Sequence, residues 1–269
     1  MLLYRPDPDA LGREARETTR RNARTFALAC RLLPSDVQDD VYRLYLVFRV
    51  LDDLVDEHDP GAATAVAAVE DWCRDGSVTT RETAVLADLS RRHPIPREAM
   101  ADFCLGMRDD IAQARHATEE DLDRYCYRVA GTVGLVMAAL LGTSSPAAGR
   151  HAAALGKAMQ RTNILRDIDE DLAAGRLFLA EETVARFGWP APGRREELLR
   201  DQIARADALY EEGVAGIAML RRGRPAISAA ASMYREILRQ IERDGYGNQP
   251  GRAVVPRSRK LLALARTAV

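Results

Sequence analysis

Histidine, cysteine and aromatic residues are all scarce in this chain of 269 residues, and each scarcity removes a class of chemistry. Cys30, Cys73, Cys104 and Cys126 show no CxxC spacing and no paired-histidine pattern, which excludes a zinc ribbon or a thioredoxin-like couple. They read as reduced, partly buried thiols of a cytoplasmic protein. His58, His93, His116 and His151 are scattered, mostly beside turn residues, and read as surface or structural groups. No GxSxG, Walker loop, HExxH or strand-borne GxGxxG is present. The 39 basic and 40 acidic residues give a net charge of -1, without the basic excess of a general nucleic-acid binder. The longest apolar run, Val133 to Leu141, is broken by Gly134 and falls short of the ~20 residues a membrane span needs. The first residues, MLLYRPDPDALGRE, carry acids and prolines where a signal peptide needs an apolar core. A cytoplasmic protein is expected, with peripheral contact to a membrane left open. Arg257, Arg259 and Lys260 suit an anionic surface and equally a solvated helix start.

What is abundant is helical periodicity. Val37, Val41, Leu44, Tyr45, Phe48, Leu51 and Val55 recur at three-and-four spacing, with Ser35 expected as the N-cap after Pro34. ATEEDLDRY pairs Thr118 with Asp121 as a capping box, opening a second helix that stops near Gly142. Others are expected over about 151–174, with Gly175 as the stop, over 194–221 and 226–243, and after Pro256. Turn signals lie between them, and no β-branched run alternates long enough to suggest a sheet. One all-α domain over residues 1–269 is expected, with residues 1–15 open to disorder.

Within the first of these helices lies RVLDDLVDE, acids interleaved with an apolar stripe. Positions four apart on a helix differ by only ~40° around its axis, so Asp52 and Asp56 point the same way. Arg49 precedes them within side-chain reach. Far along the chain, NILRDIDEDLAAGR repeats the spacing with Asp167 and Asp171, and Asn163 extends that line one turn earlier, close to Gln160. Each cluster alone reads as a solvated acidic face. Two of them on separate long helices need compensation, because gathered carboxylates repel unless protons or cations intervene. Hard divalent cations such as Mg²⁺ take oxygen ligands and bridge carboxylates to phosphates. Two facing acidic helices thus suggest a site for a metal-bound diphosphate, at the mouth of an apolar chamber that excludes water.

Four ordered segments make the chain resemble the squalene/phytoene synthases: TFALACRLLPSDVQDDVYRLYLVFRVLDDLVDE, YCYRVAGTVGLVMAALLG, MQRTNILRDIDEDLAAGRLFL, and MYREILRQIERDGYG followed by RAVVPRSRKL. The resemblance implies a helical isoprenoid-synthase bundle with a central apolar cavity, and head-to-head joining of two allylic prenyl diphosphates. It implies that Asp52, Asp56, Asn163, Asp167 and Asp171 hold Mg²⁺, or Mn²⁺. Tyr45 and Arg49 would serve the chemistry, with Gln160, Asn163, Arg166, Tyr234 and Arg252 around the diphosphate. Phe26, Val129, Val133 and Met137 are candidates for the tunnel wall, and equally for plain core. NADPH would be needed only where the final cation is reduced to squalene.

Phytoene from two twenty-carbon geranylgeranyl diphosphates is the first expectation. The alternatives are presqualene diphosphate, dehydrosqualene or squalene from fifteen-carbon farnesyl diphosphate, another class I terpene synthase activity, or a non-catalytic relative. The chain departs from the family where GRLFLAEE replaces the usual GRxYLP, at Phe178 and Ala180, and where Arg161 replaces a common aliphatic. No protein partner is indicated.

Overall fold

A computed structural model describes residues 8–265. Among them the order is α1 (Pro8–Asn22), α2 (Arg24–Cys30), α3 (Ser35–Asp56), α4 (Ala62–Asp75), α5 (Arg81–Arg92), α6 (Arg97–Ile111) and α7 (Glu119–Cys126). A π-turn over Tyr127–Gly131 leads into α8 (Thr132–Leu141) and α9 (Ala148–Ala173). Then come α10 (Glu181–Phe187), α11 (Glu196–Ala215), a 3₁₀ turn (Ile217–Met219), α12 (Arg224–Arg243) and α13 (Arg257–Ala265). The described residues form no strand, only an isolated bridge between Thr143 and Leu220. Residues 8–15, where disorder was allowed for, lie in α1; residues 1–7 are outside the described part.

The apolar stripe of α3 does what its spacing predicts: Val37, Val41, Leu44, Phe48, Leu51 and Val55 are buried. Its cap differs from expectation. Ser35 is the first helical residue, and Pro34, at φ -56° and ψ 142°, is the N-cap with no side-chain bond. Proline's fixed φ and extended ψ already end the preceding loop, so no hydroxyl is needed. The Thr118 box forms as expected, with Thr118 Oγ1 accepting from Asp121 N and Asp121 Oδ2 from Thr118 N, each at 3.1 Å.

Two large apolar clusters make the core. One is built mainly from α3, α4, α5, α6 and α8, the other mainly from α7, α9, α11 and α12. Val129 and Ile227 pack against both clusters and yet stay half-buried, which marks a seam between them. Long α9 packs on α8, on the π-turn, on α11 and on α12.

The crossing of α9 with the π-turn and α8 is unusually close. A Cβ added at Gly156 would stand 2.1 Å from the Ala130 carbonyl oxygen, and one at Gly134 would stand 2.2 Å from that of Ala152. Alanine at either position gains about 1 kcal/mol of helix propensity, but overpacking against a rigid backbone costs about 1–3 kcal/mol. Gly156→Ala is therefore expected to lower stability by a net 0–2 kcal/mol, roughly. Gly156→Val, with more volume and a β-branch, should lose more. A denaturation series in which neither variant loses stability would contradict the close crossing.

Candidate active site

Helices α3 and α9 both end in carboxylates. Asp52 and Asp56 occupy the closing turns of α3, Asp167 and Asp171 those of α9, and neither helix has a basic residue in its last turn. A helix C-terminus carries partial negative charge and favours cations by about 0.3–1 kcal/mol each. Asp56 and Asp171, in the last turns, thus sit where the backbone makes acids least welcome, which deepens the need for a counter-charge.

Arginines supply part of it. Arg49 Nη1 is 2.9 Å from Asp52 Oδ2, and its Nη2 pairs with Asp53. Arg166 donates to both oxygens of Asp167, at 2.8 and 2.6 Å. Arg252 reaches the same carboxylate, with Nε 3.0 Å from Asp167 Oδ1 and Nη1 3.5 Å from Glu170. Arg176, just beyond α9, lies 3.5 Å from Asp56 Oδ1 and 2.8 Å from Asp110 Oδ1. One guanidinium therefore spans from the second motif's end to the first, which fixes the two motifs as faces of one site.

Charge remains uncompensated. Burial, then Asp56, pushes the Asp52 carboxyl up to about 7. Asp52 still shows 45% of its side-chain surface, so this is the desolvation of a recess and not of a sealed core. Burial, then Asp167, raises Asp171 to about 7, with Asp56 adding to it across the gap. Asp110 rises to about 6, chiefly by burial, even with Arg176 and the Tyr125 hydroxyl 3.0 Å away. Asn163 gives its side-chain N–H to Gln160 Oε1 at 3.3 Å, and its own Oδ1 is buried with no partner.

These donors fit a hard divalent cation. All are oxygens, the Asp52 and Asp171 carboxyls sit far above their ordinary value, and the Asn163 oxygen stands unpaired one turn from Asp167. Among the described residues, no three acidic, histidine or cysteine side chains already stand close enough to share one ion. Arginines pair with the carboxylates instead.

The remaining expected residues gather nearby. Tyr45 stacks on Phe26 with ring centroids 5.4 Å apart, and its hydroxyl is pushed to about 12, first by burial. Tyr234 on α12 is close enough to act electrostatically on both Tyr45 and Arg166, so α3, α9 and α12 meet there. Val129, Val133 and Met137 are half-buried on the π-turn and α8, packed against the first cluster. A separate recess of about 720 Å³ opens among Arg16, Arg20, Arg31 and Tyr42, with no carboxylate among its described lining residues.

Asp110, Tyr125 and Arg176 are site residues that pattern alone did not single out. Their only local signals are the acid pair in MRDDI, the first tyrosine of YCYRVAG and the GR after the second motif. Two departures also find a physical account. Arg161 is 5% exposed because Glu119 Oε2, at 2.9 Å, and Gln202 Oε1, at 3.1 Å, receive its guanidinium. Phe178 stacks on Tyr125 at 5.7 Å and lies 4.5 Å under Arg176, so the aromatic face keeps a role without a hydroxyl.

Known proteins resemble this chain over most of its length. The family model described as squalene/phytoene synthase matches residues 19–259. The 15-cis-phytoene synthase of Synechococcus elongatus is 35% identical, over 93% of this chain and 90% of that protein. The phytoene synthase of Thermus thermophilus is 38% identical, over 87% and 84%. A crystal structure of a dehydrosqualene synthase with ligand superposes with a TM-score of 0.88 at 28% identity, covering 97% of this chain and 98% of that one. With its acidic helices facing one another and its matches spanning nearly the whole chain, this protein belongs to the squalene/phytoene synthase family.

Proposed function

We propose that this protein joins two molecules of geranylgeranyl diphosphate head to head, releasing diphosphate and giving phytoene. The observation that carries the reading is the pair of acidic helix ends bridged by Arg176, in a chain whose relatives of 35% and 38% identity are named phytoene synthases. Asp52, Asp56, Asn163, Asp167 and Asp171 would hold Mg²⁺, or Mn²⁺ in its place. The ion would neutralise the departing diphosphate.

The chain's own groups do the rest. Arg49, Arg166 and Arg252 are already seated among the carboxylates and can turn to diphosphate oxygens as an ion takes the acids. Gln160 lies beside Asn163 at the same edge. Tyr45 keeps its proton at neutral pH, so it acts as a hydrogen-bond donor and not as a base. Phe26, Val129, Val133 and Met137, packed against the first cluster, offer an apolar surface that would shelter the prenyl chains and the allylic cation from water. The acceptor's double bond attacks that cation, and loss of a proton closes a cyclopropyl diphosphate. A second ionisation releases the second diphosphate, and the rearranged linear cation loses a proton to give phytoene.

The dehydrosqualene synthase likeness favours a second reading, the fifteen-carbon branch of the same chemistry. Incubation with Mg²⁺ and either the twenty- or the fifteen-carbon diphosphate, with and without NADPH, separates the two. Phytoene from the twenty-carbon substrate, independent of NADPH, is expected. A fifteen-carbon preference would move the assignment to the other branch, and a cyclic product from one molecule would overturn head-to-head joining.

A further inference from the structure

The acidic motif on α9 carries one carboxylate that faces away from the site. Two steps along a helix turn a side chain by ~200°, so Asp169 projects opposite to Asp167. There it meets Arg195, the residue before α11, whose Nη1 and Nη2 donate to Oδ1 and Oδ2 at 2.7 Å each. Arg195 is only 4% exposed. A paired ion buried this deeply is costly to break and holds its geometry firmly.

The same Asp169 Oδ2 also accepts the backbone N–H of Gly251, at 2.7 Å. The next residue is Arg252, which stands 3.0 Å from Asp167 in the site. The near end of this loop rests on Arg195 as well. Gly247, at φ +71°, comes so close that an added Cβ would lie 2.2 Å from Arg195 Nε. Its carbonyl accepts from Gly193 N–H at 3.2 Å. Gly251, at φ +118°, has open space around it, so its backbone conformation and not its packing calls for glycine. Beneath the loop lies a recess of about 330 Å³ lined by Leu165, Leu199, Ile241 and the loop itself. Tyr246 and Ala253 pack on the second cluster, and between them the loop is tied by these polar contacts.

We propose that Asp169 and Arg195 are positioning residues, tying loop 244–253 to α9 so that Arg252 is delivered to the diphosphate. The inference rests on the reading of Arg252 as a diphosphate contact. Supporting partners of this kind typically change metal affinity or activity by about 10- to 100-fold when lost.

Asp169→Asn keeps the size of the side chain and removes its charge. Gly251→Ala leaves the Asp169–Arg195 pair whole and strains the backbone beside Arg252. Each is expected to weaken calorimetric binding of inorganic diphosphate with Mg²⁺, and to raise the KM for the prenyl diphosphate, by about tenfold. Amide exchange across 247–253 should quicken in both. In an Arg252→Ala background both losses should vanish, because the residue being positioned is gone. Equal losses in the two backgrounds would overturn the proposal, as would unchanged binding in both single variants. If the unsubstituted protein binds no Mg²⁺–diphosphate while exchange at 247–253 still responds to Asp169→Asn, the tie stands as structure. The active-site reading then falls, and the positioning role falls with it.

Discussion

Asp52→Ala is expected to slow diphosphate release by at least a thousandfold while leaving the helical fold whole. A Lewis-acid ion supplies several kcal/mol to a developing anion, and about 4 kcal/mol corresponds to roughly a thousandfold in rate. Burial and the neighbouring Asp56 both oppose the charge of Asp52, so its removal relieves the fold. Arg49 keeps Asp53 as a partner. The thermal midpoint of Asp52→Ala should accordingly stay level or rise. Asp167→Ala should lose activity to the same degree but behave differently in stability. It strips Arg166, which is 17% exposed, of its two-point partner, whereas Arg252 retains Glu170. Its midpoint should fall. Assays of released diphosphate alongside circular dichroism check both; near-normal turnover in either variant would remove that motif from the metal site.

Added Mg²⁺ is expected to stabilise the protein strongly near pH 8 and hardly at all near pH 5, taking those values as rough brackets of the carboxyl titrations. Asp52 and Asp171 are raised from 3.8 to about 7, and Asp110 from 3.8 to about 6. A carboxyl raised in the fold binds its proton more tightly folded than unfolded. Its contribution to stability is therefore present at low pH and is lost as pH climbs through the folded value. Between those brackets the metal-free protein should lose stability as pH rises. Asp40, Glu119 and Asp169 are shifted downward, so their contributions are lost only at lower pH, outside this window. A divalent ion binds the deprotonated acids, so each proton that must leave weakens it by up to about tenfold per pH unit below that group's pKa. With Asp52 and Asp171 both involved, affinity should fall by roughly thirtyfold between about pH 7 and 6, and more steeply below that. Thermal midpoints with and without Mg²⁺ across this range test it. Equal stabilisation at both ends would mean that the raised acids do not hold the ion.

The helices and the two acidic motifs were legible because their signals are local. The stripe from Val37 to Val55 needs only a helical period, and the Thr118 box needs only a spacing of three. Asp52 with Asp56, and Asp167 with Asp171, are each one turn apart. What was not legible depends on partners brought together by the fold. Asp110 becomes a site residue only when Arg176 crosses to it from beyond α9. Arg161 looks misplaced until Glu119 and Gln202 arrive from α7 and α11. Gly131 and Gly134 leave room beside the VAG segment for a close helix approach or a local bend. That the bend is a π-turn pressed against Gly156 is set by the distant crossing of α9. The role of Asp169 was hidden in plain view inside DIDED, since spacing shows which way an acid points but not that Arg195 and Gly251 are waiting there.

Anomalous scattering from crystals grown with Mn²⁺ and a non-hydrolysable thio-diphosphate analogue would test the shared metal site most directly. Metal peaks should lie between the two helix ends, bounded by Asp52 and Asp56 on α3 and by Asn163, Asp167 and Asp171 on α9, with the analogue's phosphates between them. Peaks on one motif alone, or a diphosphate bound away from both, would contradict a clamp formed by the two helices together.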